Sequence, residues 1–231
     1  VRYFLSEGHK VIVTSRDAKK LKALEKNVSA KSRLLTINVD LEKISAAQEI
    51  YEFLHHKKIA LDVLINNARN KDYLVMSDSG PSRTHWLGEL FLDVVVPYEL
   101  TLMLTKKFPS LKNIINISSI YGVVAANPKL YNDPQKESPI HYSVAKAGLI
   151  HLTKELAVRL APKNIRVNCI SYGGVEGRAS EEFKKRYAAY CPSSRMLKDE
   201  EVIGAAAFFA SENSLGVTGH NLIVDGGWTA C

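Results

Sequence analysis

Tyr142 and Lys146 stand four residues apart in the stretch Tyr142-Ser-Val-Ala-Lys146. Positions i and i+4 of a helix share a face, so the pattern sets an ammonium beside a phenol. At about 5 Å and an effective dielectric near 20, Coulomb's law gives roughly 3 kcal/mol in favour of the ionised phenol. That brings a tyrosine toward proton exchange at neutral pH, which is general acid–base chemistry. Two hydroxyls lie upstream, Ser118 and Ser119, and that of Ser119 could complete a site by hydrogen-bonding a substrate oxygen. Alone, a Tyr-x-x-x-Lys pair is a common surface pattern, so its surroundings decide its meaning.

Such a pair needs a firm helix beneath it, and Tyr142 to Leu160 reads as a strongly amphipathic one. Short apolar runs read as strands: Lys10 to Thr14 (KVIVT), Leu34 to Val39, Leu61 to Ile65 (LDVLI) ending in Asn66 and Asn67, Asn113 to Ile117 (NIINI), Arg166 to Ile170 and Asn221 to Val224. Helical patterning occupies residues 17–29, 42–57, 83–107, 180–190 and 199–211. Strands alternating with helices predict β-α units around a parallel sheet covered on both faces. The Pro- and Asn-rich residues 126–139 read as a loop. No composition break marks a linker and no repeat is visible, so one domain over residues 1–231 is expected. Val1 to Leu5 reads as the middle of a helix, with no cap and no signal peptide before it.

Composition narrows the class. Of 231 residues, 46% are hydrophobic and 24% charged, which excludes a disordered chain, and the 13 glycines show no collagen-like period. Cys169, Cys191 and Cys231 form no disulfide framework, which points to a reducing, cytoplasmic compartment. No apolar run reaches the roughly 18 residues that span a bilayer, so no membrane partner is expected. The net charge is +7, but Lys19, Lys20, Lys22, Lys26, Lys57 and Lys58 fall on helix faces, as on a solvated surface. No base-stacking aromatic motif or zinc spacing accompanies them, so neither a nucleic-acid partner nor a metal is expected.

The segments LDVLINNA, NIINISS, YSVAKAG, IRVNCIS and VTGHNLIVDGG follow one another in that order. Together they resemble the classical short-chain dehydrogenase/reductase family, over essentially residues 1–231. The resemblance implies a doubly wound, Rossmann-like α/β fold of three layers. It implies hydride transfer between a nicotinamide cofactor and a small alcohol or carbonyl substrate. By it, Tyr142 is the general acid/base, Lys146 holds the nicotinamide ribose and assists the phenol, and Ser119 orients the substrate oxygen. Ser15 and Arg16 fall where such folds select at the adenosine ribose. A carboxylate there would repel a 2′-phosphate, whereas a guanidinium pairs with it, so NADP is implied and NAD is possible. Asp40 and Leu41 match the adenine-contacting pair, and Asn67 matches the second Asn of an NNAG motif near the adenosine ribose. Val175 matches a backbone contact to the nicotinamide amide. A homo-oligomer, tetramer or dimer, is also implied.

The chain departs from this pattern in several places. The family opens with a strand and a TGxxxGxG turn whose N–H groups face a pyrophosphate. Here Val1 already falls in the following helix, so the expected sheet lacks its first strand, a central one, and dinucleotide binding is expected to be poor. NNAG reads Asn66-Asn67-Ala68-Arg69, and Pro-Gly after the IRVN strand reads Tyr172-Gly173. A helix Asn that helps hold a relay water near the Lys becomes Asp93, seven residues after Trp86, which adds charge near Lys146. Ser119 and Tyr142 are 23 residues apart, and the excess around Asn127 to Pro139 is expected to be a loop over the active-site mouth. After Val175 come Arg178, Lys184, Lys185, Arg186 and Arg195, which suggest an anionic substrate such as a sugar phosphate or nucleotide sugar. The motif SYGGVEGR and the long Ser–Tyr loop look like members associated with surface-glycan or flagellin-sugar pathways. A different reading is a non-catalytic binding subunit. The absent glycine turn, Arg69 and Asp93 favour it, and the intact Ser119–Tyr142–Lys146 set opposes it.

Overall fold

The computed structural model describes residues 1–177 and 179–230. Arg178 and Cys231 lie outside the described residues. The first half of the chain forms α1 (Arg2–Ser6), β1 (Val11–Ser15), α2 (Ala18–Lys26), β2 (Leu34–Asn38), α3 (Ala46–His56), β3 (Val63–Asn66), α4 (Arg83–Leu90) and α5 (Val96–Lys107). The second half forms β4 (Asn113–Ser119), α6 (Pro134–Glu137), α7 (Ile140–Leu160), β5 (Arg166–Tyr172), α8 (Glu181–Tyr190), α9 (Glu201–Ala210) and β6 (Asn221–Val224). Local chemistry sets several starts. The Asp17 carboxylate accepts from the Lys19 and Lys20 amides at the head of α2, and Ser82 and Ser180 cap α4 and α8 in the same way.

All strand pairs are parallel, but the strands form two pieces: β1-β2, and β3-β4-β5-β6. Side chains alternate across each strand and so reach two layers of helices. Ile12 faces the core that α3 and α5 build from Ile50, Leu54, Leu100 and Leu104, and Leu64 of β3 joins the same core. Val11 and Val13 face the other way, toward Leu5 and Leu24 of α1 and α2. In the larger piece Ile114 packs on Leu156 and Leu160 of α7, while Ile115 packs on Phe209 of α9. The fold is therefore the expected three-layer α/β/α arrangement.

The two pieces share one core, yet β1 pairs only with β2 and β3 only with β4. Just beyond the strands, Arg16 hydrogen-bonds Asn70 and Asp72. The free edges of β1 and β3 thus face each other across a slot that no described strand fills.

Three details differ from the sequence expectation. β4 runs on to Ser119 and β5 to Tyr172, because residues past the apolar runs carry on the pairing, while β3 starts only at Val63 and ends at Asn66 as read. The span 83–107 is interrupted by a π-helical turn over Phe91–Val95. Pro97 has no N–H to give the Asp93 carbonyl, and the wider turn carries the helix past it. The 126–139 stretch holds a 3-10 turn, Pro128–Leu130, and the one-turn α6, capped by the Asn127 and Asp133 side chains.

Candidate active site

Ser119 ends β4, and Tyr142 and Lys146 occupy the first turns of α7, at the carboxyl edge of the larger sheet piece. A buried polar ladder fixes their relation. Asn66 Nδ2 donates to Asn116 Oδ1 (2.8 Å), Asn116 Nδ2 to Thr153 Oγ1 (2.9 Å), and Thr153 Oγ1 to the Leu149 carbonyl (2.9 Å). β3, β4 and α7 are thereby tied through buried polar groups that satisfy one another. Ser118 Oγ donates to the Lys146 carbonyl at 3.1 Å, a second tie. Gly122 lets the turn after β4 press on α7, for a Cβ there would lie 2.7 Å from the Lys146 carbonyl carbon.

The two serines therefore differ. The Ser118 hydroxyl is engaged inside, whereas Ser119 Oγ only accepts from the Tyr121 amide (3.2 Å) and keeps its proton to donate. Lys146 is buried, its Nζ 3.0 Å from Asp93 Oδ1 and 3.1 Å from the Ile117 carbonyl. That ammonium lies 5.6 Å from the centroid of the Tyr142 ring, and the Arg69 guanidinium lies 4.9 Å from the same centroid. The phenol thus sits among two cations. Burial pushes the Asp93 carboxyl up, opposed by the Lys146 charge and hydrogen bond. Glu89, on the last turn of α4, is 1% exposed, and neither of its carboxyl oxygens has a partner. Burial first, then the Asp93 charge, pushes it up to about 7.

Ser119, Tyr142 and Lys146 border a cavity of about 420 Å³, together with Asn67, Arg69 and the Val175 segment, while Asp93 and Glu89 lie behind its wall. Val175 is held there by a parallel bridge to Leu197. The cavity has an aromatic wall, Tyr121, Tyr131, Phe183 and Tyr187, that sequence reasoning did not single out. Tyr131 comes from the long loop before α7, and its hydroxyl lies 2.6 Å from that of Tyr121, so the loop does reach the site. Burial raises the Tyr121 and Tyr131 phenols and takes Tyr187 to about 12, so these three stay protonated at neutral pH.

A second hollow of about 710 Å³ opens at the carboxyl ends of β1 and β2, bordered by Arg16, Asn38, Asp40 and Lys43. Arg16 points back across the slot to Asn70 (2.8 Å), Asp72 (3.1 Å) and Glu42 (3.3 Å). Ser15 and Leu41 do not border this hollow. The Ser15 hydroxyl accepts from the Asp17 amide, and Leu41 packs into the core of α3 and α5. The basic run after Val175 does not line the first cavity either. Lys184 pairs with Glu181 (2.7 Å), Arg186 with Glu182 (3.4 Å) and Arg195 with Glu201 (2.6 Å), while Lys185 is exposed. Arg178 is outside the described residues. Among the described residues no cluster of three metal-ligating side chains occurs, and no helix is long and apolar enough to cross a membrane.

Comparison with known proteins gives the same frame. A family model described as enoyl-(acyl carrier protein) reductase matches residues 1–229. A post-translational flagellin modification protein A from Campylobacter coli is 42% identical over 122 residues, which span 53% of this chain and 48% of that relative, about half its length. An NADH-dependent L-xylulose reductase from Ambrosiozyma monospora is 30% identical over 98% of this chain and 97% of its own. A solved short chain dehydrogenase from Leptospira borgpetersenii with bound NAD+ superposes with a TM-score of 0.84 at 29% identity, covering 98% of this chain and 85% of that one. With Ser119, Tyr142 and Lys146 assembled at one cavity of a doubly wound sheet, the chain belongs to the short-chain dehydrogenase/reductase family, a family of nicotinamide-dependent oxidoreductases.

Proposed function

We propose that the chain moves a hydride between NADP(H) and an alcohol or carbonyl carbon of a sugar-derived substrate, with Tyr142 as the acid–base residue. The observation that carries this reading is the division of labour at the cavity. Ser118 is tied to α7, Ser119 keeps a free hydroxyl proton, and Lys146 is fixed behind Tyr142 by Asp93 and the Ile117 carbonyl. In carbonyl reduction the Ser119 hydroxyl donates a hydrogen bond to the substrate oxygen. The Tyr142 hydroxyl passes its proton to that oxygen, and in alcohol oxidation the phenolate takes it back. Lys146 stabilises the phenolate, and Asp93 holds Lys146 in place.

The residues around the two hollows fit the two ends of a dinucleotide, while the pyrophosphate-facing turn of the family has no counterpart among the described residues. The two hollows lie at strand carboxyl ends on either side of the slot, as an elongated ligand with two heads requires. Arg16 and Asp40 border the hollow read as the adenosine end, whereas Ser15 and Leu41 stand back from it. Val175, Tyr142 and Lys146 line the cavity read as the nicotinamide end, and Asn67 lines that cavity too, not the hollow of the adenosine ribose that the resemblance implied for it. When bound, the nicotinamide supplies or accepts the hydride. Arg16 supports the phosphorylated form, since a half-exposed guanidinium at the rim of this hollow can exchange its surface contact with Asp72 for a 2′-phosphate. The aromatic wall supports a sugar ring, offering flat faces together with hydroxyls. Leu87, Tyr98 and Leu102, exposed along α4 and α5, support a homo-oligomer. One cytoplasmic domain acting on a small molecule, without nucleic acid or membrane, completes the reading.

The test is a fluorescence titration with NADPH and NADH, followed by turnover of L-xylulose, a nucleotide sugar and a simple ketone. The Tyr142→Phe variant is expected to bind NADPH as before and to lose about 10²–10⁴-fold in turnover. Retained turnover in that variant defeats the assignment of Tyr142.

A further inference from the structure

Lys146 brings one positive charge into the protein interior, yet two carboxyl groups lie behind it. Asp93 uses Oδ1 on Lys146 and leaves Oδ2 without a partner. Glu89 stands four residues earlier, at the junction of α4 and the π-helical turn, with both oxygens buried and unpartnered. An ionised, unpaired carboxylate buried this deeply is costly, and a second one beside it is costlier. Lys146 alone cannot balance both, and Arg69, the other cation near them, is exposed to solvent.

The charged and titratable groups around Glu89 come from four elements. Asp93 lies on the π-helical turn, Lys146 on α7, and Arg69, an exposed residue, on the segment after β3. His85, one turn earlier on α4, stacks on His141 of α7 at 6.4 Å. Tyr73, whose ring packs on Gly88, turns its hydroxyl away to Glu42. None of these offers Glu89 a hydrogen bond.

We propose that Glu89 and Asp93 share a single proton behind Lys146, and that Glu89 is a positioning residue that holds this proton so that Asp93 stays ionised for Lys146. A protonated Glu89 has an O–H to give to the unpartnered Asp93 Oδ2, which satisfies both orphaned carboxyl groups at once. Loss of that proton to solvent leaves two anions against one ammonium and weakens the positive field that Lys146 presents to Tyr142. The inference rests on the reading of Tyr142 and Lys146 as the proton-handling pair, and it adds a titrating group one layer behind them.

The test reads the carbonyl stretch of a protonated carboxyl by infrared spectroscopy on the whole chain, without substrate or cofactor. The wild type is expected to show a buried protonated-carboxyl band at pH 6 that fades as pH rises through about 7. Glu89→Gln, which keeps shape and removes the acid, is expected to lose the band. Asp93→Asn removes the competing anion and frees Lys146 to pair with Glu89, so the fading is expected to move acidward by about one pH unit or more. A mere packing role for Glu89 would not produce that movement. A band that survives in Glu89→Gln, or one whose midpoint is unmoved in Asp93→Asn, overturns the proposal. The wild-type measurement stands even if a variant fails to fold, and absence of the band there also overturns it. Failure of the Tyr142 assignment shows separately, as turnover retained by Tyr142→Phe.

Discussion

Arg16 illustrates how a single side chain can carry two tasks. Its guanidinium bridges to Asn70, Asp72 and Glu42, yet it also borders the hollow at the end of β1 and β2. Arg16→Asp is expected to shift preference from NADPH toward NADH, measured as the ratio of the two dissociation constants; an unchanged ratio would show Arg16 to be a bystander to cofactor choice. Glu89 gives a second residue-scale prediction. Its folded carboxyl titrates near 7 against an ordinary 4.5, so the unfolded chain gives up this proton first. Stability from this group is full at and below about pH 4.5 and falls as pH rises toward 7 and beyond. Glu89→Gln is therefore expected to gain on the wild type by up to about 3 kcal/mol at pH 8 and to match it at pH 4.5, read by urea unfolding at both pH values. The nearness of Tyr142 and Lys146 was legible in their four-residue spacing, but their proposed acid–base roles, and that of Ser119, rest on the ordered motifs around them. The aromatic wall was not, because Tyr121, Tyr131, Phe183 and Tyr187 come from separate segments and meet only in the folded chain.

At the scale of elements, most strands could be read from apolar runs, and some of their ends could not. β4 and β5 finish on Ser119 and Tyr172, where the apolar runs have stopped but backbone pairing has not, whereas the end of β3 at Asn66 could be read. The same polar residues join sheet to helix, which makes the ladder through Asn116 a test of element docking. Asn116→Ala strands the Asn66 amide and removes a partner of Thr153, and is expected to cost about 2–4 kcal/mol by urea unfolding. Gly122→Ala tests the other contact. Its methyl would meet the Lys146 backbone at 2.7 Å, so the turn after Ser119 must back away from α7. Turnover is expected to fall more than stability, because Ser119 then moves relative to Tyr142. The π-helical turn left no trace in periodicity, since one widened turn hardly disturbs a helical apolar pattern.

For the molecule as a whole, the divided sheet governs which parts are firm. β4 and β5 are paired on both sides, whereas β1 is paired on one. Amide hydrogen exchange is expected to be at least about tenfold faster over residues 11–15 than over 113–119, in line with sub-global opening of the less supported piece. Equal protection would mean that the shared core of α3 and α5 locks both pieces together. The aromatic wall of the first cavity has an optical consequence. Tyr187, which lines that cavity, stacks on Trp228 with ring centroids 4.4 Å apart. A molecule seated against Tyr187 therefore alters the surroundings of an indole, and tryptophan emission is expected to report the filling of the cavity directly.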